Sequence, residues 1–594
     1  MKTEAEAGTV GVVFLAGVMA FLIWKHPMFL ALLLVAVFAA AFGKWAWWPS
    51  SKLPRHRVRV LKIRTRLHVH PGRGHATGFE LMRKWGAWAS FRQSRHTRPD
   101  LTAMQRFRRP VEHSISLGRA HMGRKLRLPL EEHVIVFSPP RTGKSGFLGN
   151  VIAHYPGPVL STTTKPDIYE HTQLVRAAMG PVHVFNPQEI GDVPSTFRFN
   201  VIKGCEDPAV AIRRADGFAN ALRLEGDNAF FQNSGRAYLR AMFHAAALAR
   251  ANMMLVAEWS LTATEGGTVE AERILDRHGA GQWSAELSTI HGKADRTNAT
   301  NAIVLAQMLG FLADPALARA VVPDDGDDID WQEFLRDRGT LYMIADSDSE
   351  DSPLAPLFAC MASEVHYQAA RIGQKSPGGR LSPPLLMALD EITQTCPVPL
   401  DKWMPQSGGK GIQLLAVGHG EAQFAKRWGD HGKQIIMDCA GVKACLPGIS
   451  DTDTLDMLSK LCGETALIER GSQHHSRHHI MTPDMIRQLP EKHALIIRGR
   501  LSPVIARLPR VWDDPFVKAA KRKAETAEDA RPETITVEAE VVTDEPQPPP
   551  RLRLVAADDT PAEEPPVTDV PGGEPPGDEP TGTDDDGPYP WEKK

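Results

Sequence analysis

Residues 133–154, HVIVFSPPRTGKSGFLGNVIAH, restrict this chain to a narrow set of folds. An apolar run from His133 to Phe137 enters a Pro- and Gly-containing turn. The turn closes on Thr142-Gly143-Lys144-Ser145, and a helical pattern runs on from Gly146 to His154. Strand, tight loop and helix in this order form a cradle for phosphate. Backbone N–H groups at a helix N-terminus point at the anion, and the helix dipole favours negative charge. Gly143 lets the backbone come close. Lys144 would reach the outer phosphates, and the Ser145 hydroxyl would ligate Mg²⁺. Arg141, Thr142, Gly143, Lys144, Ser145 and Gly146 are therefore the candidate nucleotide-binding residues. The full pattern asks for glycine at the first loop position, where this chain has Ser138 followed by Pro139 and Pro140.

A second segment supplies what such a loop needs opposite it. Leu385-Leu386-Met387-Ala388-Leu389 reads as a buried strand ending in Asp390-Glu391. Asp390 would hold the Mg²⁺ shell, and Glu391 would polarise an attacking water. Further strands are expected at 158–163, 181–185, 339–345, 412–417 and 494–497, with helices between them. A long helical stretch from about Phe231 to Ala320 interrupts the alternation. This pattern predicts an α/β fold with a mostly parallel sheet and a helical insertion.

At 594 residues the chain exceeds one domain, and its net charge of −2 conceals a strong asymmetry. Residues 44–127 hold 21 Lys and Arg against three acids, whereas residues 525–594 hold 20 acids against five bases. One end suits anionic surfaces and the other repels them. Gly8 to Trp24 and Met28 to Phe42 are uncharged apolar runs near the roughly 20 residues that span a bilayer core. Trp45, Trp47 and Trp48 suit a membrane interface. The basic stretch beyond them sets a cytoplasmic orientation. A transmembrane hairpin with both termini in the cytoplasm is the expectation, and the poor basic n-region argues against a cleaved signal peptide. Six cysteines without C-x-x-C spacing point to reduced thiols. The run His474-His475-Ser476-Arg477-His478-His479 reads as an exposed loop. Beyond about Ala519 the chain is rich in Pro, Glu, Asp and Thr, which predicts a disordered acidic tail, either solubilising or docking a basic partner.

In motif order the chain resembles the conjugative coupling proteins of type IV secretion systems, the TraG/TraD group. The loop SPPRTGKS, the segment Thr162 to Tyr169, Phe185-Asn186-Pro187 with Phe199-Asn200, and Leu389-Asp390-Glu391 followed by Gly411 to Leu415 carry the likeness. Ala422-Gln423-Phe424, Arg427-Trp428-Gly429, Pro483 to Leu489 and Ala494 to Arg507 complete it. The resemblance implies a RecA-like P-loop NTPase domain using ATP and Mg²⁺. It implies a homohexamer in the plasma membrane that moves single-stranded DNA with its relaxase, or proteins, to the components of a secretion channel. The implied layout is a transmembrane hairpin (1–48), a basic connector (49–130), a nucleotide-binding domain (131–205 and 325–518), an all-α insertion (206–324) and the acidic tail (519–594). Metal ligation falls to Ser145 and Asp390, and catalysis to Glu391, Lys144 and Lys410. Three positions depart from the family's pattern: Ser138 for the loop glycine, His419 for a glutamine, and Lys410 as the one basic residue in the turn Ser407 to Gly411 where the family bears arginine. Arg427 is a second candidate for that role. Two rival functions follow: a membrane docking receptor that binds ATP without hydrolysing it, and an FtsK-type DNA translocase, which would be expected to carry a DNA-reading winged helix at its C-terminus.

Overall fold

A computed structural model of the chain describes residues 74–120, 123–222, 228–292, 295–324, 326–346, 353–468 and 475–529. The expected membrane hairpin, the start of the basic connector and the tail beyond Asp529 lie outside them. None of the described helices is long and apolar enough to cross a membrane.

The centre is an 11-stranded sheet. Its strands in chain order are β1 (Ser114–Arg119), β2 (Lys125–Pro129), β3 (Val134–Phe137), β4 (Val159–Thr163), β5 (Val182–Phe185), β6 (Thr340–Ile344), β7 (Leu385–Leu389), β8 (Ile412–Gly418), β9 (Val442–Cys445), β12 (His493–Arg498) and β13 (Val504–Arg507). A separate antiparallel hairpin pairs β10 (Glu464–Ile468) with β11 (His475–His479). The spatial order of the main sheet is β2-β1-β13-β12-β9-β3-β8-β7-β4-β6-β5. From β9 to β5 all pairs are parallel; from β9 outward through β12, β13, β1 and β2 they are antiparallel.

The parallel strands are apolar without alternation because helices cover both faces. Every residue of β3, β4, β6, β7 and β8 is buried. The seven strands expected from the sequence all form. The connection from β5 to β6 carries the helical insertion, running from the helix Pro208–Ala221 to the helix Pro315–Arg319. Its first helix lies against the long helix Ala355–Lys375. A Cβ at Gly217 would meet the Cα of Cys360 at 2.6 Å, so only glycine permits this approach. The buried Arg214 guanidinium faces Glu364 at 3.9 Å across the same contact. All six cysteines are free, and burial pushes Cys205, Cys360 and Cys462 up to about 12.

Three expectations are corrected. Residues 74–130 are not a connector: they form the helices Gly78–Trp85 and Ala87–Thr97 together with β1 and β2, which extend the sheet. Leu81, Trp85, Leu117, Leu126 and Leu128 are fully buried, and this apolar face lies among the basic residues that dominate the segment. The histidine run is a strand from His475 to His479 rather than a loop; His474 lies outside the described residues. The helix Pro515–Asp529 carries order past residue 518, because Val517 and Ala520 pack against Ala153, Val175 and Val511.

Two buried histidines make the fold acid-sensitive. His133 accepts the Leu414 N–H at 3.1 Å, and its burial holds it at about 4, below the ordinary 6.5. His366 lies flat on Trp403 with ring centroids 4.0 Å apart, and burial, with Lys410 nearby, holds it at about 3. Both rings are neutral in the fold and take up protons on unfolding. Stability therefore falls as pH drops from 6.5 towards 4, with a steepest slope of about 2.7 kcal/mol per pH unit for two protons. Denaturant unfolding at pH 7, 6 and 5 should show this decline, and His366→Phe should roughly halve its slope.

Candidate functional site

Ligands of open α/β sheets collect beyond the carboxyl ends of the strands. Here three adjacent strands, β3, β8 and β7, end side by side, with Phe137 in register with Gly418 and Leu389 with Ala416. The phosphate-type loop leaves β3, and the acids leave β7.

The loop is held by its hydroxyls. Ser138 is fully buried and donates its N–H to the Gly418 carbonyl at 3.0 Å. Thr142 Oγ1 donates to the Pro139 carbonyl (2.8 Å) and lies 2.7 Å from Ser138 Oγ. Ser138 thus closes the loop by a side-chain bridge, and its backbone needs no left-handed conformation. Arg141 (φ 63) and Gly143 (φ 94) make the turn instead. A Cβ at Gly143 would find nothing within 4 Å, so the loop leaves open space there. The helix Lys144–His154 begins with no side chain capping its N-terminus, which leaves first-turn N–H groups for an anion. His419 adds a second tie. Its Nδ1 lies 2.9 Å from the Ser138 carbonyl, which can only accept, so this nitrogen carries the proton.

The acids sit across β8. Asp390 is almost fully buried, and its carbonyl accepts from Thr162 Oγ1 (3.1 Å) and Thr395 Oγ1 (2.8 Å). Glu391 follows in a left-handed conformation (φ 47), a strained geometry that turns its side chain out of the strand line. Lys144 Nζ hydrogen-bonds Glu391 and stands 3.5 Å from Asp390 Oδ1. Burial pushes the Asp390 carboxyl up to about 6, and Lys144 beside it opposes the rise. One ammonium thus serves two carboxylates. A polyphosphate that draws Lys144 away leaves both acids short of a cation, a need that a divalent ion meets. The Ser145 hydroxyl has no hydrogen-bond partner among the described residues. Ser145 and Asp390 fit the part of Mg²⁺ ligands.

Not every expected residue joins them. Lys410 precedes β8 at the opposite end of the sheet, about 20 Å away along a seven-residue strand, and donates to Gln406 Oε1 at 2.8 Å. Arg427 binds the Asn220 and Ala221 carbonyls at the end of the helix Pro208–Ala221. Neither reaches the loop of its own chain. Gly146 has a role that the sequence does not announce: a Cβ there would strike the Trp512 ring at 2.5 Å. Trp512 lies more than 350 positions downstream, so no local signal points to it. The sequence singles out His419 but not its bond to the distant Ser138 carbonyl, and Thr395, which acts through the Asp390 backbone, was missed.

Residues 384–491, which include Asp390 and Glu391, match the family described as the TraM recognition site of TraD and TraG. The resemblance to TraG/TraD coupling proteins is thereby found again over this segment. No curated protein matches the chain. Among solved structures, plasmid coupling protein TrwB in complex with ADP and Mg²⁺ is 17% identical, with a TM-score of 0.50 over 65% of this chain and 87% of that one. The trigonal form of TrwBdeltaN70 in complex with sulphate is 18% identical, with a TM-score of 0.50 over 64% and 85%. These are likenesses of fold, and they agree with a P-loop NTPase domain in this chain.

Because the Gly146 Cα lies against Trp512, Gly146→Ala should cost about 1–3 kcal/mol through overpacking. Denaturant titration checks this, and a second change, Trp512→Leu, should restore part of the loss.

Proposed function

We propose that this protein is a membrane-anchored ATPase that couples secretion substrates, DNA with its relaxase or proteins, to a type IV secretion channel. The observation that carries the reading is the Lys144 ammonium held between Asp390 and Glu391, two acids that lie within a segment matching a coupling-protein family. In this reading the loop backbone from Arg141 to Gly146 and the Lys144 ammonium bind the phosphates of ATP. Ser145 and Asp390 would hold Mg²⁺, which would supply charge neutralisation at the phosphates. Glu391, freed from Lys144, orients water for attack. The fold is RecA-like, and the NTPase domain lies on the cytoplasmic side of the membrane.

A homohexamer fits this scheme. Lys410 lies far from the loop of its own chain, so in a ring it acts on a neighbouring subunit's nucleotide. Lysine lacks the planar fork with which arginine grips phosphate oxygens, so hydrolysis is slow for this kind of machine.

The test is steady-state ATP hydrolysis by the full chain in neutral detergent, with and without single-stranded DNA. Wild type should hydrolyse ATP and be stimulated by the strand. Lys144→Ala and Glu391→Gln should each lose at least 100-fold. Equal rates in wild type and both variants would favour the non-hydrolysing receptor instead.

A further inference from the structure

Four cations gather on the antiparallel wing of the sheet. Lys125 on β2 is directly opposite Arg119 on β1, and Arg119 is directly opposite Arg507 on β13. Alternation places Arg127 on the same face of β2 as Lys125. Like charges at directly opposed positions destabilise a strand pair. Gly118 (φ 119) makes the crowding closer still, since a Cβ there would meet the Arg507 carbonyl oxygen at 2.4 Å.

Asp514 offsets part of the charge on Lys125 without forming an ion pair with it. Among the described residues none of the four has an ion-pair partner; Arg127 Nη1 donates to Ser114 Oγ (3.2 Å) and Arg119 Nη1 to the Gly123 carbonyl (3.3 Å). The two adjacent acids are committed elsewhere. Asp513 pairs with Arg510, and Asp514 accepts from Asn150 (2.8 Å) and lies 2.9 Å from His154 Nε2. Burial and the charges of Arg119 and Arg127 hold the Lys125 ammonium below its usual range. A fold that keeps such a row with no acid paired to it has a site for an anion, even though Asp513 and Asp514 line the same cavity.

The four cations line a cavity of about 290 Å³, closed on one side by the end of the helix Lys144–His154. We propose that this cavity binds a single phosphate group, either free or carried on a lipid headgroup. Guanidinium groups match phosphate oxygens two at a time, and four cations suit a doubly charged oxyanion better than a carboxylate. The volume is at the lower limit of ligand pockets, and no Phe, Tyr or Trp lines it to stack a base. Both facts favour one phosphorylated group over a nucleic-acid strand.

Thermal unfolding of the full chain in neutral detergent tests this, in a Lys144→Ala background that silences the phosphate loop. Inorganic phosphate should raise the midpoint by several degrees and saturate, whereas chloride at equal ionic strength should not. Arg119→Gln with Lys125→Gln should weaken the phosphate effect at least tenfold. Without phosphate that variant should unfold no lower than its background, because a repulsion has been removed. An undiminished phosphate effect in the double variant, or an equal effect of chloride, would overturn the proposal. Short-chain phosphatidic acid, whose headgroup is a phosphomonoester, names the source when added below its micellar concentration: binding tenfold tighter than phosphate assigns a headgroup, and equal or weaker binding assigns free phosphate.

Discussion

The ion pair that joins Lys144 to Asp390 and Glu391 is the contact on which the site depends. It crosses β8 to link two segments nearly 250 positions apart. Asp390 is buried, and Lys144 and Glu391 keep only 13% and 15% of their side-chain surface exposed. Removing one partner of such a pair costs about 3–5 kcal/mol when it strands a buried charge. The same arrangement is why the site can respond to a ligand. A cation shared by two acids is easily reassigned to phosphate, and the acids are then set for a metal ion.

The surrounding structure holds these three side chains in place. Ser138, Thr142 and His419 tie the loop to itself and to the end of β8. Thr162 and Thr395 hold the Asp390 backbone. Behind the loop, Trp512 and Val511 pack on Gly146 and Gly149, and the helix Pro515–Asp529 closes over Ala153 and Val175. The C-terminal end of the described residues therefore braces the phosphate-loop helix. The cation-rich cavity lies beside the last turn of that same helix, so both proposed sites share one rigid element.

The parallel strands were legible because they are buried on both faces and read as unbroken apolar runs, VIVF in β3 and LLMAL in β7. The antiparallel wing was legible only at β12, expected at 494–497. In β2, KLRLP alternates leucines with cations and looks like part of a basic stretch, and β9 offers only VKAC. The candidate nucleotide residues were legible as a local pattern, and their meeting with Asp390 and Glu391 follows from two strands ending at one edge. What the pattern concealed was the work done across distance: the serine that replaces a glycine by bridging to Thr142, the tryptophan beneath Gly146, and the place of Lys410 at the far end of β8.

The central claim is that Glu391 competes with nucleotide for Lys144, and equilibrium titration of a non-hydrolysable ATP analogue into the full chain tests it most directly. If the account is right, Glu391→Gln binds the analogue with Mg²⁺ severalfold more tightly than wild type, while Lys144→Ala binds at least tenfold more weakly. Weaker binding by Glu391→Gln, or unchanged binding by Lys144→Ala, would contradict it.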